Sequence, residues 1–282
     1  MKKILACALA LCATAAAAGN ARAAAAATIQ LEPYLGSTLA LRAQVNGHEG
    51  LFQFDTGGGV SVISTEFAGT IGCTPWGRIT GFRMTGERLD LPRCDNLEFK
   101  AAGQRLKAPI AGVLDLASLL PKDAPRLDGS LGLDLFAGRT ITLDQSARTI
   151  TIESAGSLKA RLRHAREVPI RLVRDVEGVA LTVDAAVPTP SGLAWMELDS
   201  GNAGPIAIGR HLAGLFHLDP DGNAPQTVKF ELAGGIPVEG PALTPDLIKD
   251  GNIGVEFFRH WVLTVDLAAG RAWLSPAHAK GA

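Results

Sequence analysis

The sequence predicts an all-β chain built as two similar lobes, and three observations carry that expectation. Short alternating or β-branched runs recur between Gly, Pro, Asn and Asp turn signals along the 282 residues, and no stretch sustains a helical period. Two Asp-hydroxyl-Gly triplets, Asp55-Thr56-Gly57 and Asp199-Ser200-Gly201, each end an apolar segment. A second motif follows each triplet: Asp128-Gly129-Ser130-Leu131-Gly132-Leu133-Asp134-Leu135-Phe136 in the first half, Asp250-Gly251-Asn252-Ile253-Gly254-Val255-Glu256-Phe257-Phe258 in the second. One triplet is easily a turn; an ordered pair of motifs in both halves is a duplication.

Taken in chain order, Lys2 and Lys3 precede the apolar run Ile4 to Leu11, and Ala21-Arg22-Ala23 has the small residues that signal peptidase requires. Residues 1–23 are read as a signal peptide, which places the mature chain in the periplasm or the medium. The leader run is too short to span a bilayer, and no later segment holds the ~18 apolar residues that a membrane helix needs. The expectation is an exported chain without a membrane span. Export also bears on the cysteines, since Cys7 and Cys12 leave with the leader while Cys73 and Cys94 remain. A disulfide between them and two unpaired thiols are both open readings.

Charge narrows the partners. The chain holds 27 basic and 28 acidic residues, and the leader removes Lys2, Lys3 and Arg22 but no acid. The mature protein is mildly acidic, which argues against a nucleic-acid partner or an anionic membrane surface. The cluster Lys159, Arg161, Arg163, His164 and Arg166 reads as a solvated connector. It falls in the expected linker, 156–167, between an N-terminal lobe at 28–155 and a C-terminal lobe at 168–277.

Each lobe has a hairpin that ends at its triplet. Leu39 to Val45, the turn Asn46-Gly47 and Leu51 to Phe54 deliver Asp55, because Asn-Gly supplies the positive φ angles of a tight turn. Val179 to Val187, the loop Pro188 to Gly192 and Leu193 to Leu198 deliver Asp199. Beyond the second motifs, Ile141-Thr142-Leu143-Asp144 matches Leu263-Thr264-Val265-Asp266, and each leads through a turn to a last strand.

With both motif pairs in place, the chain resembles the pepsin/retropepsin superfamily of aspartic proteases, and among them most closely the bacterial exported retropepsin-like aspartyl protease-family proteins. The resemblance covers nearly the whole mature sequence. It implies a two-lobed pepsin-like fold, each lobe a closed or partly open β-barrel, with a cleft between the lobes. It assigns Asp55 and Asp199 as the catalytic dyad, and Thr56 and Ser200 as hydroxyls bracing the two loops. Gly57 and Gly201 then allow close backbone approach, and Leu131, Gly132, Ile253 and Gly254 support the loops. The segment Ile79 to Leu91 reads as a flap, with Phe82 and Met84 as its apolar contacts.

Chemistry gives separate grounds for those residue types. Two carboxylates about 3 Å apart cannot both ionise cheaply, so they share a proton. The ionised partner can activate a water while the protonated one polarises a peptide carbonyl. On this reading the protein is an aspartic endopeptidase that acts on an extended polypeptide, needs no cofactor or metal, and is complete as a monomer because one chain carries both halves of the dyad. The alternative is a catalytically silent peptide- or ligand-binding protein of the periplasm. Two departures from the family favour it: Gly58 stands where pepsin-like enzymes carry Ser or Thr, while Asn202 at the matching position can still donate, and the single tyrosine, Tyr34, lies outside the flap.

Other chemistries lack their motifs. There is no Gly-x-Ser-x-Gly, His-Glu-x-x-His or phosphate-binding loop. Asp219-Pro220-Asp221-Gly222-Asn223 starts like a calcium loop but has Ala224 in place of the turn glycine and Phe230 in place of the bidentate glutamate, so it reads as a polar turn. His48, His164, His211, His217, His260 and His278 show no metal-ligand spacing.

Overall fold

The computed structural model describes residues 25–118, 120–222 and 224–277. The expected leader, Asn223 and His278 lie outside the described residues. Strands dominate, so the all-β class holds, and they form three sheets.

The first hairpin forms where Asn46 and Gly47 predict it. Both residues have positive φ, 51° and 83°, and Thr38–Val45 pairs antiparallel with His48–Phe54. Phe54 ends alongside Gly129–Leu131, which runs parallel to it with Phe52 opposite Gly129 and Phe54 opposite Leu131. The second half repeats this wiring: Thr182–Thr189, Gly192–Leu198 and, parallel to the latter, Gly251–Ile253. The turn is tighter than expected there. Thr189 pairs with Gly192, and its hydroxyl accepts from the Ser191 N–H and donates to the Gly192 carbonyl, which carries the strand through Pro188.

The order of strands beyond these matches as well. In the N-terminal half Gly129–Leu131 is followed by Val62–Ile63, Gln104–Val113 and Arg88–Ala101; in the C-terminal half Gly251–Ile253 is followed by Ile206–Ile208, Ile236–Leu243 and Gln226–Leu232. A pairing of Gln44 with Lys100 returns the N-terminal series to its first hairpin and closes a six-stranded barrel. In the C-terminal half the equivalent edges meet through a bond from the Ala233 N–H to the Ala186 carbonyl.

The glycines that open the second motifs answer to packing. A Cβ on Gly129 would lie 2.3 Å from the Val62 carbonyl oxygen and 2.7 Å from the Phe52 ring, and one on Gly251 would lie 2.4 Å from the Met196 sulfur. No side chain fits where strands approach this closely. Phe52 itself is fully buried and meets Phe67 and Phe99 edge-on, with ring centres 5.2 and 5.5 Å apart. The aspartates preceding these glycines hold the incoming strands. Asp128 Oδ2 accepts the Leu51 N–H at 3.0 Å and Asp250 Oδ2 accepts the Trp195 N–H at 2.8 Å.

The third sheet draws on both halves. Its order is Ala27–Gln30, Thr149–Ile152, Thr140–Asp144, Trp261–Asp266, Arg271–Pro276 and Arg166–Val168. At its centre Thr142 pairs with Thr264, and the hydroxyls of these two residues, 122 positions apart, lie 2.9 Å from each other. The expected connector is partly helical. Ala155–Arg161 is opened by Ser154, whose hydroxyl and backbone exchange hydrogen bonds with Ser157 in a capping box.

The expected flap is the hairpin of Trp76–Phe82 and Arg88–Ala101, turned at Arg83 to Glu87. Cys73 and Cys94 form a disulfide with Cα atoms 6.3 Å apart, which settles the open pairing and ties the base of this hairpin to the chain leaving the helix Thr65–Thr70. No helix among the described residues is long and apolar enough to cross a membrane.

Candidate functional site

The two hairpins bring the triplets face to face. Asp55 is fixed by its N–H to the Leu131 carbonyl, 3.0 Å, and Asp199 by its N–H to the Ile253 carbonyl, 2.9 Å. Leu131 and Ile253 therefore support the loops through their backbone. The hydroxyls between the loops bond crosswise. Thr56 Oγ1 donates to the Leu198 carbonyl at 2.6 Å and accepts the Ser200 N–H at 2.9 Å; Ser200 Oγ donates to the Phe54 carbonyl at 3.2 Å and accepts the Thr56 N–H at 3.1 Å. Each hydroxyl satisfies one buried carbonyl and one buried N–H of the opposite loop.

The carboxyl groups lie against each other's loops. A Cβ on Gly57 would lie 2.4 Å from Cγ of Asp199, and one on Gly201 would lie 2.5 Å from Cγ of Asp55. Only glycine allows this approach. Gly132 and Gly254 come next to the same loops: a Cβ on Gly254 would lie 2.2 Å from the Asn202 carbonyl oxygen, and one on Gly132 would lie 3.3 Å from that of Gly59.

The two carboxyls have different surroundings. Burial pushes the Asp55 carboxyl well above its ordinary value, and the charge of Asp199, a hydrogen bond with it and the charge of Glu197 push the same way, against one N–H from Gly57. Among the described residues Asp55 accepts that single N–H, 2.9 Å away. Asp199 accepts three, from Gly201 at 2.8 Å, Asn202 at 3.1 Å and the side chain of Asn252 at 2.7 Å. The two carboxyls are thus unequally served, one N–H donor to Asp55 against three to Asp199.

Asn202 and Gly58 account for part of that asymmetry. Asn202 serves Asp199 through its backbone, whereas its side-chain amide turns away to Oδ1 of Asn252, 2.7 Å. Gly58 offers no side chain, and a Cβ there would lie 3.2 Å from Oδ2 of Asp55.

Several residues at the site escaped the sequence reading. Glu197 lies two positions before Asp199 and faces Asn252 across the parallel strands. It accepts from Asn252 at 3.1 Å and pairs with Lys249. Burial raises the Glu197 carboxyl, and Lys249 offsets part of that. Asp184, opposite Glu197 on the neighbouring strand, is also raised by burial and pairs with Arg171 at 3.0 Å. A signal for Glu197 and Asn252 existed in the duplication. The corresponding N-terminal pair is Gln53 and Ser130, so superposing the halves exposes a carboxylate and an amide on one side only. Asp134 was missed as well. It is buried, accepts the Ser61 N–H at 2.9 Å and the Ser61 hydroxyl at 2.7 Å, and burial raises its carboxyl to about 6.

A cleft of about 740 Å³ reaches Asp55 and is walled mainly by aliphatic side chains, among them Val60, Leu91, Leu114, Leu127 and Leu247. Phe82 and Met84 both line it, so the structure brings the two flap residues to the cleft. The flap also reaches across. The Met84 carbonyl accepts the Ile248 N–H at 2.9 Å.

Comparison with known proteins bears on the family. No family model matches the chain, and no curated protein does. Among solved structures it is similar to basic 7S globulin from soybean, at 12% identity and a TM-score of 0.58, covering 92% of this chain and 97% of the globulin. It is also similar to conglutin gamma, a basic 7S globulin from lupine seeds, at 10% identity and a TM-score of 0.52, covering 89% and 95%. These findings overturn the assignment to the pepsin/retropepsin proteases, and the endopeptidase reading falls with it. The physical reason lies in what the motifs encode. The triplets and their supporting strands specify a backbone frame, and a frame does not specify turnover. What the comparisons establish is a likeness in fold, along nearly the whole chain, to the basic 7S globulins of soybean and lupine seeds.

Proposed function

We propose that this chain is a binding protein that holds its ligand in the cleft lined by Asp55 and leaves peptide bonds intact. The observation that carries the reading is the roofed, aliphatic cleft of about 740 Å³ that reaches the buried Asp55 carboxyl. That volume and that mixture of apolar wall with few polar groups suit a bound ligand. The likeness to basic 7S globulins supports the fold of such a protein.

On this reading the halves at 28–155 and 168–277 are the two lobes of a pepsin-like architecture, joined by 156–167, and the cleft lies between them. The crossed hydroxyl bonds of Thr56 and Ser200 keep the floor rigid. The buried Asp55 carboxyl makes a polar contact with the ligand. The mildly acidic mature chain works as a monomer in the periplasm or medium, with no nucleic-acid partner.

The test is a pair of measurements on the mature protein. Calorimetry against a panel of apolar amides and peptides is expected to show saturable binding that Leu114→Arg abolishes, since the new charge would stand in the cleft. Incubation with casein across acidic to neutral pH is expected to leave the casein intact. Cleavage that disappears in both Asp55→Asn and Asp199→Asn would sink the reading.

A further inference from the structure

The two halves differ in what stands beside their carboxyl groups. At matching steps of the parallel strands, the C-terminal half pairs Glu197 with Asn252 and the N-terminal half pairs Gln53 with Ser130. The Asn252 amide fills the space between its acids, 2.7 Å from Oδ2 of Asp199 and 3.1 Å from Oε2 of Glu197. Serine is shorter than asparagine and brings no amide to the matching space. There Gln53, Asp55 and Ser130 line the cleft. Among the described residues, neither the Gln53 nor the Ser130 side chain bonds to the protein, and Asp55 accepts one N–H, that of Gly57. The place taken by a donor beside Asp199 therefore opens on the cleft beside Asp55.

A second polar group of the wall lacks a partner. Thr182 lines the cleft and is 5% exposed, and its hydroxyl makes no hydrogen bond among the described residues. Thr38, its counterpart at the offset of 144 that also separates Thr56 from Ser200, donates to the Tyr34 carbonyl at 2.7 Å. The Leu181 N–H, bonded to the Gly59 carbonyl at 2.9 Å, keeps Thr182 beside the Asp55 loop. A buried hydroxyl without a partner costs free energy that a bound polar group recovers.

The unanswered charge of the cleft is negative. Its two cationic side chains are engaged, Lys249 with Glu197 and Arg83 with Glu87 of its own hairpin, 3.6 Å away. Asp55 and Asp175 line the cleft too, and among the described residues neither has an ion-pair partner. Asp199 has none either, and its charge acts on Asp55. Burying a cation is costly unless a carboxylate meets it, and here the carboxylates stand unpaired.

We propose that the cleft receives an apolar primary amine, whose ammonium takes beside Asp55 and Gln53 the place that the Asn252 amide takes beside Asp199 and Glu197. The inference rests on the binding reading above and names its ligand class. The ammonium donates to the Asp55 carboxylate and to the Gln53 side-chain oxygen, and the Thr182 hydroxyl supplies a further acceptor. The hydrocarbon body lies along the aliphatic wall.

The experiment titrates the mature protein near neutral pH with 4-phenylbutylamine, its N,N,N-trimethylammonium counterpart and 4-phenylbutyrate. The amine is expected to bind, and the other two to bind about tenfold more weakly or less, since one keeps the charge without N–H donors and the other reverses the charge. Ser130→Asn places an amide where the ammonium is to sit and is expected to weaken amine binding about tenfold. Thr182→Val keeps the shape and removes the hydroxyl, and a loss of about threefold or more is expected. Circular dichroism confirms which variants fold. Equal or tighter binding of either analogue overturns the proposal, and so does wild-type affinity for the amine in any variant that folds. Binding from the panel of amides and peptides without binding of the amine leaves the broader reading standing and removes this one. If neither the series nor the panel binds, both fall.

Discussion

The side-chain amide of Asn252 stands 2.7 Å from Oδ2 of Asp199, and the same nitrogen is 3.1 Å from Oε2 of Glu197. One buried amide thus serves two buried carboxylates, while its own oxygen accepts from Asn202. The N-terminal half has Ser130 at the matching position and no such arrangement.

Removing that amide should be costly. Asn252→Ala takes one donor each from Asp199 and Glu197 in a buried setting, and a loss of about 1–3 kcal/mol is expected from urea unfolding near neutral pH. A change within experimental error would show that the amide is not needed to hold the two acids.

Thr56 tests the crossing of the loops. Its hydroxyl bonds both the Leu198 carbonyl and the Ser200 N–H, so Thr56→Val keeps shape but orphans two backbone groups. About 2–5 kcal/mol of destabilisation is expected, with Thr56→Ser restoring most of it. Chemical denaturation of the two variants side by side supplies the check.

Asp134 makes stability depend on pH. Its folded value, about 6, lies above the ordinary 3.8. The folded state therefore keeps a proton in a range where the unfolded chain gives it up. The stabilising contribution is complete below 3.8 and is lost as pH rises through about 6. A carbon-detected titration of the Asp134 carboxyl should show a midpoint near that value, and Asp134→Asn should flatten the melting temperature across the same window.

The Cys73–Cys94 bridge closes a loop with a sequence separation of 21. Replacing both cysteines by serine should cost about 3 kcal/mol by the loop-entropy argument. Reduction of the wild type should bring it to the stability of the double variant; a gap between the two would point to the serines and not to the bridge.

How much of this could be read from sequence depends on the range of the interaction. Asn46-Gly47 specified a hairpin because two positive φ angles are a local demand, and Asp55 and Asp199 followed from the strands that end at them. The paired second motifs told of the supporting frame because glycine at 129 and 251 answers a close strand approach. The helix Ala155–Arg161 was missed, since seven residues give too little periodicity to read. Glu197 and Asn252 were missed because neither residue type is unusual alone; their meaning appears only opposite Gln53 and Ser130. The bond between Met84 and Ile248 joins two backbone groups far apart in sequence, and no side-chain pattern announces a backbone bond. Family membership was misjudged for a related reason: residues that shape the loops look the same whether or not a water is activated between them.

The sheet shared by the two halves has a consequence for how the chain is made. Thr140–Asp144 finds its partner in Trp261–Asp266, which is synthesised more than a hundred residues later. Until it arrives, an emerging chain presents one side of Thr140–Asp144 as an open strand edge, and such edges recruit strands from other molecules. A chain truncated before Trp261 would keep that edge permanently. This sheet is therefore complete only once the C-terminal strands have been made.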